Sequence, residues 1–182
     1  FEERKEIIFL SSNEDNWIIR DIMEIRTATI ADLAQITAVE AECFPAAEAA
    51  TKEEFAERIK YYGNHFWLMF EGEKLIAFVD GFVTDKPDLT DEMYERAEMH
   101  DENGAWQMIF GVNTIPAYRK HGYAGQLLQC AIEDARKQGR KGLVLTCKEK
   151  LIAYYAKFGF VNEGISESVH GNVIWYQMRY KF

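Results

Sequence analysis

Apolar residues recur along this chain with two spacings, which indicates that helices and strands alternate. A spacing of three and four residues predicts helices opened by Thr29 and Thr51, each with an acidic residue three positions later that can complete a capping box. The same spacing predicts helices from Ala124 to about 138 and from Lys150 to Phe158. Short apolar runs bounded by turn residues predict strands at about 24–28, 66–70, 75–79, 106–112, 143–146, 160–167 and 173–180.

The order of these predicted elements indicates a mixed α/β fold in a single domain. One helix joins the strands at 106–112 and 143–146, so we expect that pair to be parallel. Most other neighbours in the chain are joined by turns, which predicts a mostly antiparallel sheet. The apolar last strand would support a homodimer, but a single sheet satisfies the same pattern, so monomer and homodimer both stay open.

Residues 84–103 interrupt this pattern, because they carry eight acidic residues against Lys86 and Arg96. We expect this segment to be too polar for the core and to form a long loop that contains a short helix. Its carboxylates could attract a cation, although a solvated surface explains them equally well. They are Asp85, Asp88, Asp91, Glu92, Glu95, Glu98, Asp101 and Glu102.

Residues 1–22 differ from the rest of the chain. They lack the positively charged start and long apolar core of a secretory signal. Met23 resembles a start methionine followed by a short strand. We therefore expect residues 1–22 to be an upstream extension or the product of an alternative, non-native start, and residues 23–182 to be one domain. A hairpin or helix added to the domain is the alternative.

The composition fits a compact domain that needs neither disulfides nor a structural metal. A chain of 182 residues with 48% hydrophobic residues can bury a large core, and no run approaches the roughly 20 apolar residues of a membrane span. Three cysteines without paired spacing indicate thiols in a reducing cytoplasm, and the scattered histidines predict no metal site. The net charge of −9 argues against nucleic acid and anionic membranes as partners and suits a cationic substrate.

The segment 112–128 carries the most specific motif, Arg119-x-x-Gly122-x-Ala124. Gly122 lets the backbone bend close to an anion, and the N–H groups that follow are the unpaired donors of a helix start. Arg119 and Lys120 add positive charge. A pyrophosphate is therefore the expected ligand, although the motif is neither a Walker loop nor a dinucleotide fingerprint.

The string from Pro116 to Leu128 resembles the acyl-coenzyme A binding segment of the GCN5-related N-acetyltransferases, where Pro-x-x-Arg-x-x-Gly-Tyr-Ala-x-x-Leu-Leu is a typical form. The segment 154–160, Tyr-Tyr-Ala-Lys-Phe-Gly-Phe, is similar to the family's Phe-Tyr-x-x-Phe-Gly-Phe. The element order is also the family's own. Cys147 followed by Tyr155 resembles the arylalkylamine branch, and in particular its bacterial members.

This resemblance implies the acyl-CoA N-acyltransferase fold, a mostly antiparallel sheet splayed at the cofactor cleft with flanking helices. Acetyl-CoA would lie between the strands at 106–112 and 143–146, with its pantetheine paired like an extra strand and its pyrophosphate on the helix start. A backbone N–H near Phe110 would stabilise the oxyanion. The implied cofactor-binding residues are Phe110, Gly111, Val112, Arg119, Lys120, His121, Gly122, Tyr123, Ala124, Gly125 and Tyr155.

The resemblance also implies a general acid but leaves the base open. Tyr155 matches the family's acid, because a phenol can protonate the departing thiolate; packing between a helix and a strand is the alternative role. Where related enzymes carry a carboxylate or histidine on the strand, this chain has Trp106 and Met108, which accept no proton. The amine would lose its proton through water or to another base, for which His170 and His100 are candidates.

The acceptor side is expected around residues 40–48, where the family's substrate-side loop begins. Glu42 or Glu48 would attract an ammonium group, and Cys147 would line the cleft as an inert thiol. Asp80 interrupts an apolar strand, as a buried carboxylate facing the cleft or as an exposed residue. The implied acceptor-side residues are Glu42, Phe44, Pro45, Trp106, Met108 and Cys147.

The expected function is therefore transfer of an acetyl group from acetyl-CoA to a small primary alkyl or arylalkyl amine, by direct attack in a ternary complex. A protein lysine or N-terminal amine is the alternative acceptor, although the long segment 84–103 favours a covered site. A non-catalytic acyl-CoA binding module is the rival from another class, because the usual strand base is missing.

Overall fold

The computed structural model describes residues 5–7 and 23–182. The strands in these residues are β1 (Lys5–Ile7), β2 (Met23–Thr27), β3 (Phe66–Glu71), β4 (Lys74–Asp80), β5 (Val83–Thr84), β6 (Trp106–Ile109), β7 (Gly111–Thr114), β8 (Gly142–Cys147), β9 (Val161–Ile165) and β10 (Tyr176–Lys181). The α-helices are α1 (Leu33–Cys43), α2 (Lys52–Tyr62), α3 (Glu92–Glu95), α4 (Tyr123–Lys137) and α5 (Ile152–Ala156).

The strands form two five-stranded sheets in the described chain, in the orders β1-β2-β3-β4-β7 and β5-β6-β8-β10-β9. Every neighbouring pair is antiparallel except β6 and β8, which run parallel with Met108 opposite Val144. Helix α4 lies in the connection from β7 to β8. The predicted mixed α/β fold, mostly antiparallel with one parallel pair around this helix, is confirmed.

The prediction of one strand over residues 106–112 is wrong, because two strands of different sheets divide this stretch. β6 pairs with β5 and β8, whereas β7 pairs with β4. The division falls at Phe110, whose N–H donates to Asp80 O at 2.8 Å. Gly81 permits this change of partner, since a Cβ there would lie 1.8 Å from the Met108 carbonyl oxygen. The sheets therefore separate at Phe110 and leave a cleft between β7 and β8.

Helices α1, α2 and α4 bury the apolar faces that the sequence spacing predicts. Ile36 of α1 and Phe55 of α2 are fully buried. Two charged side chains, Glu40 of α1 and Arg58 of α2, also lie buried on these inner faces. The buried residues of α4 are Leu127, Leu128, Ala131, Ile132 and Ala135.

Thr51→Ala is expected to lower the free energy of unfolding by about 1 kcal/mol, because the capping box of α2 is complete. The Thr51 hydroxyl accepts from the Glu54 N–H at 3.2 Å, and the Glu54 carboxylate accepts from the Thr51 N–H at 2.6 Å. Urea unfolding measures the loss, with Lys52→Ala at the exposed first helical residue as the matched control. An unfolding midpoint equal to that of the wild type would contradict this prediction.

Residues 84–103 contain the predicted short helix, α3, but the expectation that they avoid the core is wrong. Leu89, Met93 and Ala97 are buried, because the few apolar side chains of this acidic segment turn inward. Next to Met93, the Tyr94 hydroxyl lies 3.2 Å from the Thr146 hydroxyl of β8. The segment therefore packs over the end of β8 and covers one side of the cleft.

The two ends of the chain partly follow the expectations. The turn predicted at Gly171 and Asn172 is present, with φ of 63° and 55°, and it joins closing strands that are shorter than predicted. Of residues 1–22, β1 pairs antiparallel with β2; the rest of that segment lies outside the described residues, and its origin stays a prediction. No helix in residues 23–182 has both the length and the apolarity that crossing a membrane requires.

Candidate functional site

A cavity of about 580 Å³ opens where the two sheets separate. Its walls come from the end of α1 and the residues after it, the start of β7, the end of β8, α5, and the segment between β9 and β10. The sequence-predicted site residues that line it are Phe44, Pro45, Phe110, Gly111, Val112, Arg119, Ala124, Cys147, Tyr155 and His170.

The turn before α4 leaves backbone N–H groups open to a ligand. Lys120 and Gly122 both adopt left-handed backbone conformations, with φ of 68° and 83°. Gly122 is the N-cap of α4, and no described side chain caps the helix. The first N–H groups of a helix have no acceptor within it, so those of Tyr123, Ala124 and Gly125 can bind an anion. The sequence pointed to the bend at Gly122, whereas the one at Lys120 carried no signal.

The other predicted phosphate-side residues surround this helix start. Arg119 is held there by a hydrogen bond from its Nε to Thr114 O, at 3.0 Å. The ring of His121 stacks on Tyr123, with centroids 5.6 Å apart, and its Nδ1 lies 2.9 Å from the Arg119 carbonyl oxygen. Lys120 and His121 are exposed and lie outside the cavity lining, next to the open N–H groups.

The oxyanion donor that is expected near Phe110 is not the N–H of Phe110 itself. The Phe110 N–H is already donated to Asp80 O, at 2.8 Å. Hydrogen bonds alternate along antiparallel strands. The register with β4 is unbroken from Gly111 to Thr114, so the bond from Ile115 N–H to Ile76 O sets the alternation for β7, and the bond of Phe110 lies before it. The backbone groups of Val112 therefore face away from β4, toward the cleft. Val112 N–H, and not that of Phe110, is the candidate donor.

Tyr155 and Cys147 meet the cavity as protonated side chains. Tyr155 is 6% exposed and lines the cavity. Burial raises the pKa of its phenol far above its usual range, and Cys147 and Tyr154 raise it further. Burial also raises the pKa of the Cys147 thiol to about 11. At neutral pH the phenol can therefore donate a proton, and the thiol is a poor nucleophile.

His170 lines the cavity from the segment before β10. Its ring stacks on Tyr94, with centroids 5.1 Å apart. Its Nε2 lies 3.0 Å from the Glu48 carbonyl oxygen, so this nitrogen carries a proton and donates it. The bond ties the segment before β10 to residues 44–50.

His100 belongs to a different polar cluster, with His65 and Glu102, outside the cavity lining. Its Nδ1 accepts from the Val83 N–H at 3.1 Å, and its Nε2 lies 3.2 Å from Glu102 Oε2. The neutral ring therefore carries its proton on Nε2 and donates it to the carboxylate. No lone pair of His100 is left for a metal ion or for an amine proton, which removes this residue from the candidate bases.

Three predicted acceptor-side residues lie outside the cavity. Met108 is fully buried in the core, because β6 is an interior strand of its sheet. Trp106 is half-buried beneath the Arg179 guanidinium, which lies 4.7 Å from the centre of the indole ring system. Glu42 is on the exposed face of α1. An acceptor bound in the cavity would therefore not touch these three residues.

A buried charged cluster at the cavity was not predicted as a unit. Glu40, Arg58 and Asp80 are 6%, 5% and 1% exposed, and all three line the cavity. Arg58 donates from Nη1 to Asp80 Oδ2 at 3.2 Å and from Nη2 to Tyr94 O at 3.0 Å. Asp80 is therefore a buried carboxylate at the cavity and not an exposed residue, which were the two possibilities that the sequence left open. Burial raises its pKa to about 6 against the opposing charge of Arg58.

The sequence did contain a signal for two members of this cluster. Glu40 follows Ile36 by four residues, and Arg58 follows Phe55 by three. Both charges thus occupy inward positions of amphipathic helices. Lys, Arg, Asp and Glu are almost never fully buried unless they are paired, so charges at such positions indicate a polar site inside the fold.

Polar contacts join several of the segments that line the cavity. Asp91 accepts from the Val169 N–H at 2.9 Å, which joins the segment 84–103 to the segment before β10. Lys148 Nζ lies 2.8 Å from Glu48 Oε1. Six carboxylates line the cavity as a whole: Glu40, Glu48, Glu54, Asp80, Asp91 and Glu95.

The chain belongs to the acetyltransferase (GNAT) family, whose model matches residues 33–160. It is thus an acetyltransferase of GNAT type, as the two motifs indicated. The arylalkylamine branch is not resolved by this match. No protein of curated function matches the sequence.

Solved structures of low identity share the fold. The loading GNATL domain of CurA from Lyngbya majuscula superposes with a TM-score of 0.76 at 16% identity, over 87% of this chain and 97% of that one. The GphF GNAT-like decarboxylase in complex with isobutyryl-CoA gives 0.74 at 21%, over 86% and 98%. The ribosomal-protein-S18-alanine N-acetyltransferase from Escherichia coli gives 0.65 at 18%, over 87% and 93%. Similarity at these identities establishes the fold and leaves the acceptor open.

Proposed function

We propose that this protein transfers the acetyl group of acetyl-CoA to the primary amino group of a small alkyl or arylalkyl amine. Membership of the acetyltransferase (GNAT) family supports acetyl transfer. The uncapped helix start at Tyr123 supports binding of the CoA pyrophosphate. The open backbone edge at Val112 supports pairing of the pantetheine beside β7 as an additional strand.

The acidic lining of the cavity is the observation that carries the proposal for an amine. Six carboxylates face four basic residues there, and the basic residues Arg58 and Lys148 are already bonded to Asp80 and Glu48. Such a lining attracts an ammonium group. It repels an acyl group that carries its own carboxylate, which argues against the chemistry named for the GphF decarboxylase.

The contacts between lining segments favour a small amine over a polypeptide. A polypeptide would have to cross the place where Val169 is bonded to Asp91 and His170 to Glu48. These bonds connect three separate segments that line the cavity. A volume of about 580 Å³ suits a small molecule next to the acyl end of the cofactor.

Direct attack in a ternary complex is the chemistry that the lining residues support. The neutral amine nitrogen attacks the thioester carbonyl, the C–N bond forms, and the C–S bond breaks to release a thiolate. The protonated phenol of Tyr155 gives its proton to that thiolate, and the surplus proton of the acylated nitrogen returns to the phenolate. Cys147 holds a neutral thiol, so the mechanism needs no acetyl-cysteine intermediate.

The test measures release of free CoA thiol from acetyl-CoA with alkyl amines, arylalkyl amines, and short peptides that carry free N-termini or lysines. We expect turnover with the small amines, at a kcat/KM at least about tenfold above that of any peptide. A preference for peptides would make a protein amine the acceptor. Binding of acetyl-CoA without turnover of any amine would favour a non-catalytic module, and release of carbon dioxide from malonyl-CoA would favour a decarboxylase.

A further inference from the structure

We propose that Glu40 is the general base that accepts a proton from the ammonium group of the acceptor. This inference rests on the proposed amine acetylation. It supplies the proton acceptor that Trp106 and Met108 of β6 do not provide.

The position of the Glu40 carboxylate fits this role. Glu40 lies in the last turns of α1, is 6% exposed, and still lines the cavity. Its Oε1 accepts a hydrogen bond from the Ala50 N–H at 3.1 Å. Its Oε2 is buried and has no hydrogen-bond partner within 3.5 Å among the described residues, although the Asn113 amide, itself without a partner at that distance, lies near enough to lower the pKa of the carboxyl. A buried carboxylate oxygen without a donor is costly, and an ammonium group in the cavity would supply that donor.

Asp80, whose charge acts on Glu40, lies close to the expected site of acyl transfer. Asp80 faces Gly111 in the register between β4 and β7, next to the open edge at Val112. Arg58 donates to Asp80 at 3.2 Å and has no hydrogen bond to Glu40. Arg58 therefore holds Asp80 as an anion, whereas Glu40 can alternate between its charged and neutral forms.

The electrostatic surroundings favour proton exchange at Glu40 near neutral pH. Burial, followed by the negative charge of Asp80, raises the pKa of the Glu40 carboxyl to about 7. The Ala50 N–H, Arg58 and Asn113 lower this pKa, but their combined effect is smaller. The charged and titratable groups that face it are Asp80 of β4, Arg58 of α2 and Cys43 of α1. A general base is most efficient when its pKa lies near the working pH.

The proposed step balances in protons and electrons. The ammonium group gives one proton to Glu40 Oε2, which leaves a neutral amine and a neutral carboxylic acid. The nitrogen lone pair forms the C–N bond, and the C–S electron pair leaves with sulfur, which takes the proton of Tyr155. The nitrogen returns its surplus proton to the Tyr155 phenolate, and Glu40 releases its proton to solvent.

His170 and Glu48 also line the cavity and are rival candidates for the base. The Nε2 proton of His170 is donated to the Glu48 carbonyl oxygen, which leaves Nδ1 as the nitrogen that could accept a proton, so the His170→Gln variant tests this residue directly. The Glu48 carboxylate accepts from Lys148 Nζ at 2.8 Å through Oε1. Glu40 has no cation within hydrogen-bond distance among the described residues.

The test compares wild type with Glu40→Gln, which keeps the size of the side chain and an acceptor for Ala50 N–H. With an alkyl amine at pH 7, we expect kcat/KM to fall about 100-fold while the Kd for acetyl-CoA is unchanged. In the wild type, kcat/KM should rise with pH around pH 7, because Glu40 loses its proton there. This rise, the lower limb of the pH profile, should be absent from the variant. Trifluoroethylamine, which is largely neutral at pH 7, should lose far less rate, because it needs no base.

Two further variants separate the base from simpler explanations. Glu53→Gln removes a carboxylate from an exposed position of α2 and should keep both the rate and the pH profile. His170→Gln should keep the lower limb near pH 7, whatever its rate. Thermal unfolding of each variant checks that the fold is intact.

The outcomes distinguish this inference from the proposed function. If the wild type acetylates amines and Glu40→Gln keeps both the rate and the lower limb, Glu40 is not the base. If the lower limb of the pH profile is lost in His170→Gln and kept in Glu40→Gln, His170 is the base. An equal loss with alkyl amine and trifluoroethylamine would indicate a structural role for Glu40. If the wild type acetylates no amine at all, the proposed function itself fails.

Discussion

Replacing Arg58 with methionine is expected to lower the free energy of unfolding by about 3–5 kcal/mol at pH 8. The guanidinium is 5% exposed and donates to Asp80 Oδ2, which is 1% exposed. Removing one partner of a buried ion pair leaves the other charge without compensation, which is far more costly than the loss of a surface pair. Methionine has a similar length and packs well, so the loss of charge dominates the effect.

The stability that Arg58→Met loses should be greater at high pH than at low pH. Folding raises the pKa of Asp80 from 3.8 to about 6 and that of Glu40 from 4.5 to about 7. The folded protein thus binds protons that the unfolded chain has released, so wild-type stability falls as the pH rises from about 4 to about 7 and then levels off. The positive charge of Arg58 lowers the pKa values of both Asp80 and Glu40 in the wild type. In Arg58→Met the fall should be steeper and should continue to higher pH, so the variant loses less at pH 5 than at pH 8.

Urea unfolding at pH 5 and pH 8 tests this prediction, and a second substitution provides its control. Asp80→Asn in the Arg58→Met background removes the uncompensated carboxylate, so the double variant should be more stable than Arg58→Met at pH 8. An equal loss at both pH values, without recovery in the double variant, would show that packing and not charge accounts for the effect of Arg58.

Local patterns predicted the helices and most strands because the responsible interactions are local. The capping box at Thr51 and the apolar spacing of α4 involve residues within a few positions of one another. The division at Phe110 is different, because an apolar run looks the same whether one sheet or two take it up. Which strand each half joins depends on pairing with β4 and β8, at long range in sequence.

The same distinction separates the two halves of the candidate site. The turn at Arg119 and Gly122 is continuous in sequence, so its motif could be found, whereas Glu40, Arg58 and Asp80 come from three elements. Only Asp80 broke its local pattern visibly enough to be singled out as a possible cleft residue. The resemblance directed the search for a base to β6, where Trp106 and Met108 lie outside the cavity, and the inward charge of α1 was missed.

Tyr155→Phe is expected to lower kcat by a factor of about 10² to 10³ with small amines, while the Kd for acetyl-CoA stays the same. The phenol is buried at the cavity, and its raised pKa keeps it protonated across the neutral and mildly alkaline range. Phenylalanine keeps the edge-to-face contacts with Tyr154 and Phe160, whose ring centroids lie 5.2 and 6.2 Å away. The change therefore removes the proton donor and leaves the packing in place.

Steady-state release of CoA thiol, combined with calorimetric titration of acetyl-CoA, measures the two quantities separately. Tyr154→Phe is the matched control, since it removes a neighbouring phenol whose ring packs edge-to-face on Phe158, and it should keep most of the rate. If Tyr155→Phe keeps the wild-type kcat, the thiolate takes its proton from another donor and Tyr155 is a packing residue. If kcat stays the same and the Kd for acetyl-CoA rises, the hydroxyl serves cofactor binding instead, because a loss confined to the transition state leaves ground-state affinity unchanged.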